Sequence, residues 1–326
     1  MAKSVFILGA GFSLAANRQY PQADSPLAKR YPLASELGSE CFGASWNHSA
    51  AVEAAFEAAV RSGNREPIKR LVKLIQTADY HLGWPEAQDG RSSYARLIDR
   101  FIGAQFLSFN YDSLLEQVLL HRCLWNPHDG FGVPVETGAA PQNHPDISQS
   151  QILHLHGSVL LYAVEFSVSQ REAADNTLWM KSLKEPRFVF DPDNLGHCFA
   201  PFEREAPGLG YRHPDQRIIV PVPDKTQELM KPYVRAVYAR AQALLGVADR
   251  AVSIGYRFAE CDRASFDPLV LALVRGGKPL CVVDPHAGEI VAALRKRYAE
   301  LDVTDVRLTF EEWSESGFRL PEEDAA

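Results

Sequence analysis

Three short polar strings, each at the end of an apolar run, carry the residue types in this chain that could do chemistry. They are Gly9–Ser13 (GAGFS), Phe109–Asp112 (FNYD) and Leu155–Ser158 (LHGS). Because the carboxyl ends of parallel strands meet at one edge of an α/β sheet, the strings are expected to converge on one crevice. A glycine turn suits a phosphate, and the other strings add an amide, a carboxylate and an imidazole. The set predicts chemistry on a nucleotide.

The glycine turn has two interpretations. Gly9 and Gly11 would let the backbone approach a pyrophosphate closely, and the N-terminus of a following helix would offer it free N–H groups. The dinucleotide pattern G-x-G-x-x-G is not met, because Leu14 stands where the third glycine belongs. A tight turn that binds nothing explains the two glycines equally well.

Asn110 and Asp112 lie two residues apart just past an apolar run, so their side chains could share a face. The Asn110 amide would hold a ribose hydroxyl or a water, and the Asp112 carboxylate would accept from a carboxamide. Asp112 could instead simply cap the helix predicted over Leu114–His121.

His154 and His156 share a face by the two-residue period of a strand, provided that the strand continues through both. One of them is the natural general base, because an imidazole pKa near 6.5 suits proton removal at neutral pH. The other would be a packed strand residue. His156 is the better candidate, since Gly157 beside it allows a sharp turn and a close ligand. A metal pair is the alternative, but no third ligand is evident.

The elements that must position these strings alternate between strand and helix, which predicts an α/β fold with a doubly wound parallel sheet. Helical and irregular insertions interrupt the alternation. The predicted strands are Ser4–Leu8, Gln105–Phe109, Gln151–Leu155, Arg250–Ile254, Pro279–Val283 and Val306–Phe310. The predicted helices include Leu33–Cys41, Ala50–Arg61, Glu66–Tyr80, Tyr94–Ile102, Leu114–His121, Thr226–Leu245, Ser265–Arg275 and Gly288–Tyr298.

We expect one domain over residues 1–312, with a helical insertion at about 42–102, an irregular insertion at about 159–224 and a C-terminal tail at 313–326. The net charge of −7 argues against direct nucleic-acid binding. No apolar run approaches the roughly 20 residues of a membrane span, and no signal peptide is evident. Five scattered cysteines fit a reducing cytoplasm and exclude a zinc ribbon.

Taken in order, the strings resemble the motifs of the SIR2 family, the sirtuins and their prokaryotic relatives. That family carries a G-A-G-x-S turn, an N-x-D and an H-G that contains its catalytic histidine, which match Gly9–Ser13, Asn110 with Asp112, and His156 with Gly157. Two further matches are weaker. Gly255 with Tyr256 resembles a later glycine turn that the family places near the ribose and phosphate, and Asp284 resembles a family residue that contacts the adenosine ribose. Pro32–Leu37 is similar to a P-L-x-x-E-L segment of the prokaryotic branch, which lacks the four-cysteine zinc module.

The resemblance implies a Rossmann-like, SIR2-type fold without a zinc module, and NAD⁺ as a substrate rather than a retained cofactor. In the prokaryotic branch it implies NAD⁺ hydrolysis in anti-phage defence, with a homo-oligomer or a defence-system protein as partner. An NAD-dependent protein deacylase and a non-enzymatic NAD or ADP-ribose binding subunit are the alternatives. The implied catalytic residues are His156, Asn110 and Asp112, and the implied binding residues are Gly9, Ala10, Gly11, Ser13, Gly157, Gly255, Tyr256 and Asp284.

Overall fold

A computed structural model describes residues 3–19, 30–32, 34–44, 49–133, 135–137, 145–168, 180–190 and 216–321. The described residues form these strands: β1 (Ser4–Leu8), β2 (Gln105–Ser108), β3 (Val135–Thr137), β4 (Ile152–His154), β5 (Gly157–Val168), β6 (Met180–Phe190), β7 (Gln216–Ile218), β8 (Arg250–Ile254), β9 (Leu280–Val283) and β10 (Val303–Val306).

The α-helices of the described residues are α1 (Ala10–Gln19), α2 (Ala34–Phe42), α3 (Ser49–Arg61), α4 (Glu66–Ala78), α5 (Trp84–Gln88), α6 (Ser93–Arg100), α7 (Leu114–His121), α8 (Thr226–Leu229), α9 (Pro232–Val247), α10 (Arg263–Gly276), α11 (Ala287–Arg297) and α12 (Phe310–Glu315). A π-helical turn covers Asp79–Gly83, and a 3₁₀ turn covers Glu260–Asp262.

A six-stranded parallel sheet in the order β10-β9-β8-β1-β2-β4 confirms the predicted doubly wound α/β fold. From β1 the chain moves outward to β2 and β4, then returns to β8 beside β1 and moves outward on the other side. The reversal lies between β1 and β8. In such sheets the crevice at the carboxyl ends of the strands beside the reversal is where ligands bind.

Alternate residues of the central strands pack into two separate cores, one on each face of the sheet. Phe6 and Leu8 of β1 face a core shared with α1, α6, α7 and α12. Val5 and Ile7 face a core shared with α9, α10 and α11. Burial on both faces is why β1 is a continuous apolar run in the sequence.

Helices α2, α3 and α4 pack around a third apolar cluster. It includes Val52, Phe56, Leu71 and Ile75 from these helices and also Val159 of β5. α3 and α4 lie within the stretch where a helical insertion is expected, and α2 precedes it.

The described part of residues 159–224, where an irregular insertion is expected, includes most of one long strand and all of another. β5 has 12 residues and β6 has 11, and they belong to a four-stranded sheet in the order β3-β6-β5-β7. β5 and β6 pair antiparallel with a register shift between Val164 and Phe166. Residues 169–179 and 191–215 lie outside the described residues.

Three further elements differ from the sequence prediction. Pro232 lacks an N–H and begins a new helix, so the single helix expected over Thr226–Leu245 is two, α8 and α9. Helix α5 lies between α4 and α6 and is not among the helices predicted above. The last strand covers Val303–Val306 instead of the expected Val306–Phe310.

The predicted tail begins too early. Trp313 is fully buried in α12, and Phe318 and Leu320 are buried after it, so the chain packs on the core to at least Leu320. A capping box between Thr309 and Glu312 starts α12. Residues 322–326 lie outside the described part. Among the described helices, none combines the length and the apolar character that crossing a bilayer requires.

Candidate functional site

Ser13 joins the first two sequence strings through its hydroxyl. The side-chain amide of Asn110 donates to Ser13 Oγ at 2.8 Å and to the Gly9 carbonyl at 2.9 Å. The Ser13 hydroxyl in turn donates to Asp112 Oδ2 at 2.7 Å. The loop after β2 is thereby fastened to the turn after β1, and the amide, hydroxyl and carboxylate form one hydrogen-bonded row at the carboxyl edge of the sheet.

The Asp112 carboxylate has two bonding directions. Oδ2 accepts from Ser13, and Oδ1 accepts from the Leu114 N–H at 3.3 Å at the start of α7. The capping role considered from the sequence therefore coexists with the contact to Ser13. Burial raises the pKa of Asp112 to about 6, against the lowering effect of the Ser13 hydrogen bond.

The glycines of the first string pack against a second glycine turn. A methyl group on Gly9 would lie 2.5 Å from Tyr256 Cα, and one on Gly11 would lie 2.7 Å from Gly255 Cα. The Gly9 N–H donates to the Ile254 carbonyl and the Gly11 N–H to the Gly255 carbonyl, both at 3.0 Å. These two amides are thus committed to the junction of β1 and β8, while Ala10 between them is exposed.

The two histidines do not share a face. β4 ends at His154, whose imidazole points into the core beside α7. Its Nδ1 donates to the Asn110 carbonyl at 3.1 Å, and its Nε2 pairs with the buried Glu116 carboxylate. Burial alone would lower the pKa of His154, but the charge and hydrogen bond of Glu116 raise it above its ordinary value. His154 holds the backbone of Asn110 in place.

His156 lies in the turn after β4 and faces the opposite layer. Its Nε2 is 3.1 Å from Ser265 Oγ on α10 and 3.9 Å from Asp262 Oδ1. The Phe109 ring meets the imidazole edge-on with 4.9 Å between centroids. Burial lowers the pKa of His156 to about 4, so the imidazole is neutral at pH 7. It can then accept a proton.

The remaining predicted residues follow other strands at the same edge of the sheet. Gly157 has φ of +80°, which starts β5 in a left-handed turn. Tyr256 stacks on Phe109 with 4.0 Å between ring centroids and so bridges toward His156. Asp284 follows β9, two strands from β1, and its Oδ1 accepts from the His286 N–H at 2.8 Å at the start of α11.

Sequence reasoning missed two buried polar groups of this region. Asp79, in the π-helical turn, accepts from the Tyr31 hydroxyl at 2.7 Å and from the Ser113 N–H at 3.0 Å. Burial and the neighbouring Asp112 raise the pKa of Asp79 well above its ordinary value. The second group is Lys225 with Asp262, an ion pair beside His156. Neither has a local motif, because their members are distant in the chain.

No group of three or more histidine, cysteine, aspartate or glutamate side chains suited to a metal ion occurs within the described ranges.

No protein-family model matches the chain, and no curated protein matches it. Among solved structures, a Sir2 homologue carrying a serine-to-alanine substitution, in complex with ADP-ribose, aligns with 99% of this chain and 94% of its own. The aligned residues are 12% identical and the TM-score is 0.41. The functional assignment therefore rests on the motifs and contacts described above.

Proposed function

We propose that this protein is an NAD⁺ hydrolase that cleaves the bond between nicotinamide and ribose. The observation that carries the proposal is the Ser13 hydroxyl, which bonds both Asn110 and Asp112 at the carboxyl edge of the sheet. The side chains of two separate motifs meet there, next to the point where the strand order reverses. Phe109, the residue before Asn110, contacts the His156 imidazole with its ring.

The reaction consumes NAD⁺ and water and yields nicotinamide, ADP-ribose and one proton. Departure of nicotinamide neutralises the positive charge on its ring nitrogen, so no acid has to assist the leaving group. The site must hold the pyrophosphate, stabilise an oxocarbenium-like ribose and deliver water. The site therefore requires hydrogen-bond donors, a nearby carboxylate and a proton acceptor.

The motif residues supply these groups. Gly9, Ala10, Gly11 and Ser13 line the turn that holds the pyrophosphate, and Asn110 orients the ribose or the attacking water. Because the Gly9 and Gly11 amides and the Ser13 hydroxyl already donate within the protein, the exposed backbone at Ala10 is the part of the turn left to face the phosphates.

Asp112 accepts from the nicotinamide amide, and neutral His156 takes a proton from a ribose hydroxyl or the water. Gly157, Gly255 and Tyr256 shape the surrounding turns, and Asp284 contacts the adenosine ribose.

Nicotinamide release from NAD⁺, followed by chromatography, tests the proposal. Wild type should release nicotinamide and ADP-ribose in equal amounts, and Asn110→Ala and His156→Ala should each lose at least about 100-fold in rate. His128→Ala, which truncates an exposed histidine, is the matched control and should keep the full rate.

Full activity of either site variant would refute the residue assignment. Turnover that requires an acylated peptide would identify a deacylase. Tight binding of NAD⁺ or ADP-ribose without turnover, in the isolated and the assembled protein alike, would identify a binding subunit.

The resemblance to the zinc-less prokaryotic branch supports a biological role for this hydrolysis in anti-phage defence. Bacteria that express wild type should lose NAD⁺ on infection and release fewer phage, whereas bacteria that express the Asn110→Ala protein should do neither. Equal phage yields from both strains would contradict the defence role but would not contradict NAD⁺ hydrolysis by the protein.

A further inference from the structure

An ion pair with a buried ammonium lies next to the imidazole that the proposed function uses as its base. Lys225 Nζ bonds Asp262 Oδ1, and the same Oδ1 is 3.9 Å from His156 Nε2. The Lys225 side chain is 3% exposed and the Asp262 side chain is 19% exposed. Burying an ammonium costs desolvation free energy, so its position beside this imidazole requires a physical reason.

Two separate loops bring this pair to His156. Asp262 ends the 3₁₀ turn before α10, and Ser265 follows in the first turn of that helix. Lys225 precedes α8 in the segment that leaves β7. That segment also holds the His156 backbone, because the Ile219 N–H donates to the His156 carbonyl at 2.7 Å. The backbone of His156 is therefore bonded to the segment after β7, and its imidazole lies against the start of α10.

The arrangement is not a serine-hydrolase triad. In a triad the serine contacts one imidazole nitrogen and the carboxylate contacts the other. Here Ser265 and Asp262 both face Nε2 of His156. Ser265 is also fully buried. Its hydroxyl fixes the imidazole rather than attacking a substrate.

We propose that Lys225 and Asp262 are positioning residues that set the proton affinity of His156, a role that rests on the proposed function of His156 as the base. A lone carboxylate at this distance would stabilise the imidazolium and hold the proton. Lys225 bonds the same oxygen and offsets that charge. The pair thus keeps His156 neutral and ready to accept a proton while still orienting it through Asp262 and Ser265.

Among the described residues that contacts and charges link to His156 or Asp262, the tyrosines and the cysteine carry no charge at neutral pH, whereas Glu53 is an acidic group nearby. Burial raises the pKa values of Tyr111, Tyr238 and Tyr256 far above neutrality and that of Cys261 to about 12. The charge of Glu53 on α3 raises the pKa values of Tyr111 and Cys261. A variant of Glu53 therefore belongs in the test.

The test is an NMR titration of the imidazoles in the full chain, with the His156 signals assigned through His156→Gln. Lys225→Met should raise the pKa of His156 by about one to three units, since it leaves Asp262 unopposed. Asp262→Asn should keep His156 neutral to the lowest pH at which the protein stays folded. Lys225→Arg should restore the wild-type titration. Lys231→Met, which removes the ion pair of Lys231 with Glu228, and Glu53→Gln should each leave the titration within about half a unit.

The NMR measurement separates this proposal from the proposed function. An unchanged His156 titration in folded Lys225→Met protein overturns the positioning role, whether or not NAD⁺ is hydrolysed. A raised pKa supports the positioning role even if wild type releases no nicotinamide. If wild type is active, Lys225→Met should also move the acid limb of kcat upward with little change in KM. If Lys225→Met does not fold, Lys225→Gln serves the same comparison.

Discussion

The backbones of Gly11 and Gly255 are in direct contact. The Gly11 N–H donates to the Gly255 carbonyl at 3.0 Å, and a methyl group built on Gly255 would lie 2.5 Å from Gly11 Cα. Gly255 also has φ of +60°, in the left-handed region. The turn after β1 and the turn after β8 therefore fit together only without side chains.

Alanine at either glycine is expected to destabilise the protein. Gly255→Ala should cost about 2–5 kcal/mol, from overlap with backbone and from the left-handed conformation, and Gly11→Ala somewhat less. Gly246→Ala is the control, because nothing lies within 4 Å of a methyl group there, and in α9 it should stabilise by about 0.5–1 kcal/mol. Denaturant unfolding measures all three, and equal midpoints for Gly246→Ala and Gly255→Ala would contradict the close approach.

Ser13→Ala removes the hydroxyl that links Asn110 to Asp112. The Asn110 amide loses one acceptor and the Asp112 carboxylate loses one of its two donors, so we expect a loss of about 1–3 kcal/mol in unfolding free energy. Ser39→Ala, at an exposed serine, should change stability by less than about 0.5 kcal/mol. If the protein hydrolyses NAD⁺, the rate should fall in Ser13→Ala at protein concentrations and temperatures where it is fully folded.

The pair of His154 with Glu116 should behave as a structural unit. Either partner changed to leucine leaves the other group buried without its partner, which costs about 3–5 kcal/mol. The double variant should lose less than the sum of the two single losses, and a double-mutant cycle measures the difference. Additive losses would show that the two side chains do not interact.

Asp112→Asn should change how stability depends on pH. The folded pKa of about 6 lies above the ordinary value of 3.8, so protonation favours the folded state. That contribution is complete below pH 3.8 and is lost as the pH rises through about 6. The Asp112→Asn protein should therefore gain melting temperature relative to wild type as the pH rises from about 4 to about 7. A constant difference across that range would contradict a raised pKa at Asp112.

Local sequence signals identified the central strands, because a strand buried on both faces is a continuous apolar run. β1 and β8 have the predicted bounds, and so does α7. The convergence of Ser13 with Asn110 and Asp112 was also expected from motif order. What these side chains do chemically stays a prediction.

Contacts between distant residues could not be predicted in this way. The partner of His156 on α10 lies 109 positions away, and the ion pair of Lys225 with Asp262 spans 37. No local pattern marks either contact. The two histidines were assigned to one face because the strand was expected to continue past His154, whereas the chain turns there.

The place of β1 between β2 and β8 fixes when the site can be completed during synthesis. β1 leaves the ribosome before the other described strands, and β2 follows about 100 residues later. The other neighbour of β1 is β8, which emerges roughly 245 residues after β1 and is followed by Gly255, Asp262 and Ser265. Until then one edge of β1 stays unpaired, and His156 lacks its contacts to Asp262 and Ser265. A nascent chain stalled before residue 250 would therefore carry all three sequence strings without the geometry to use them.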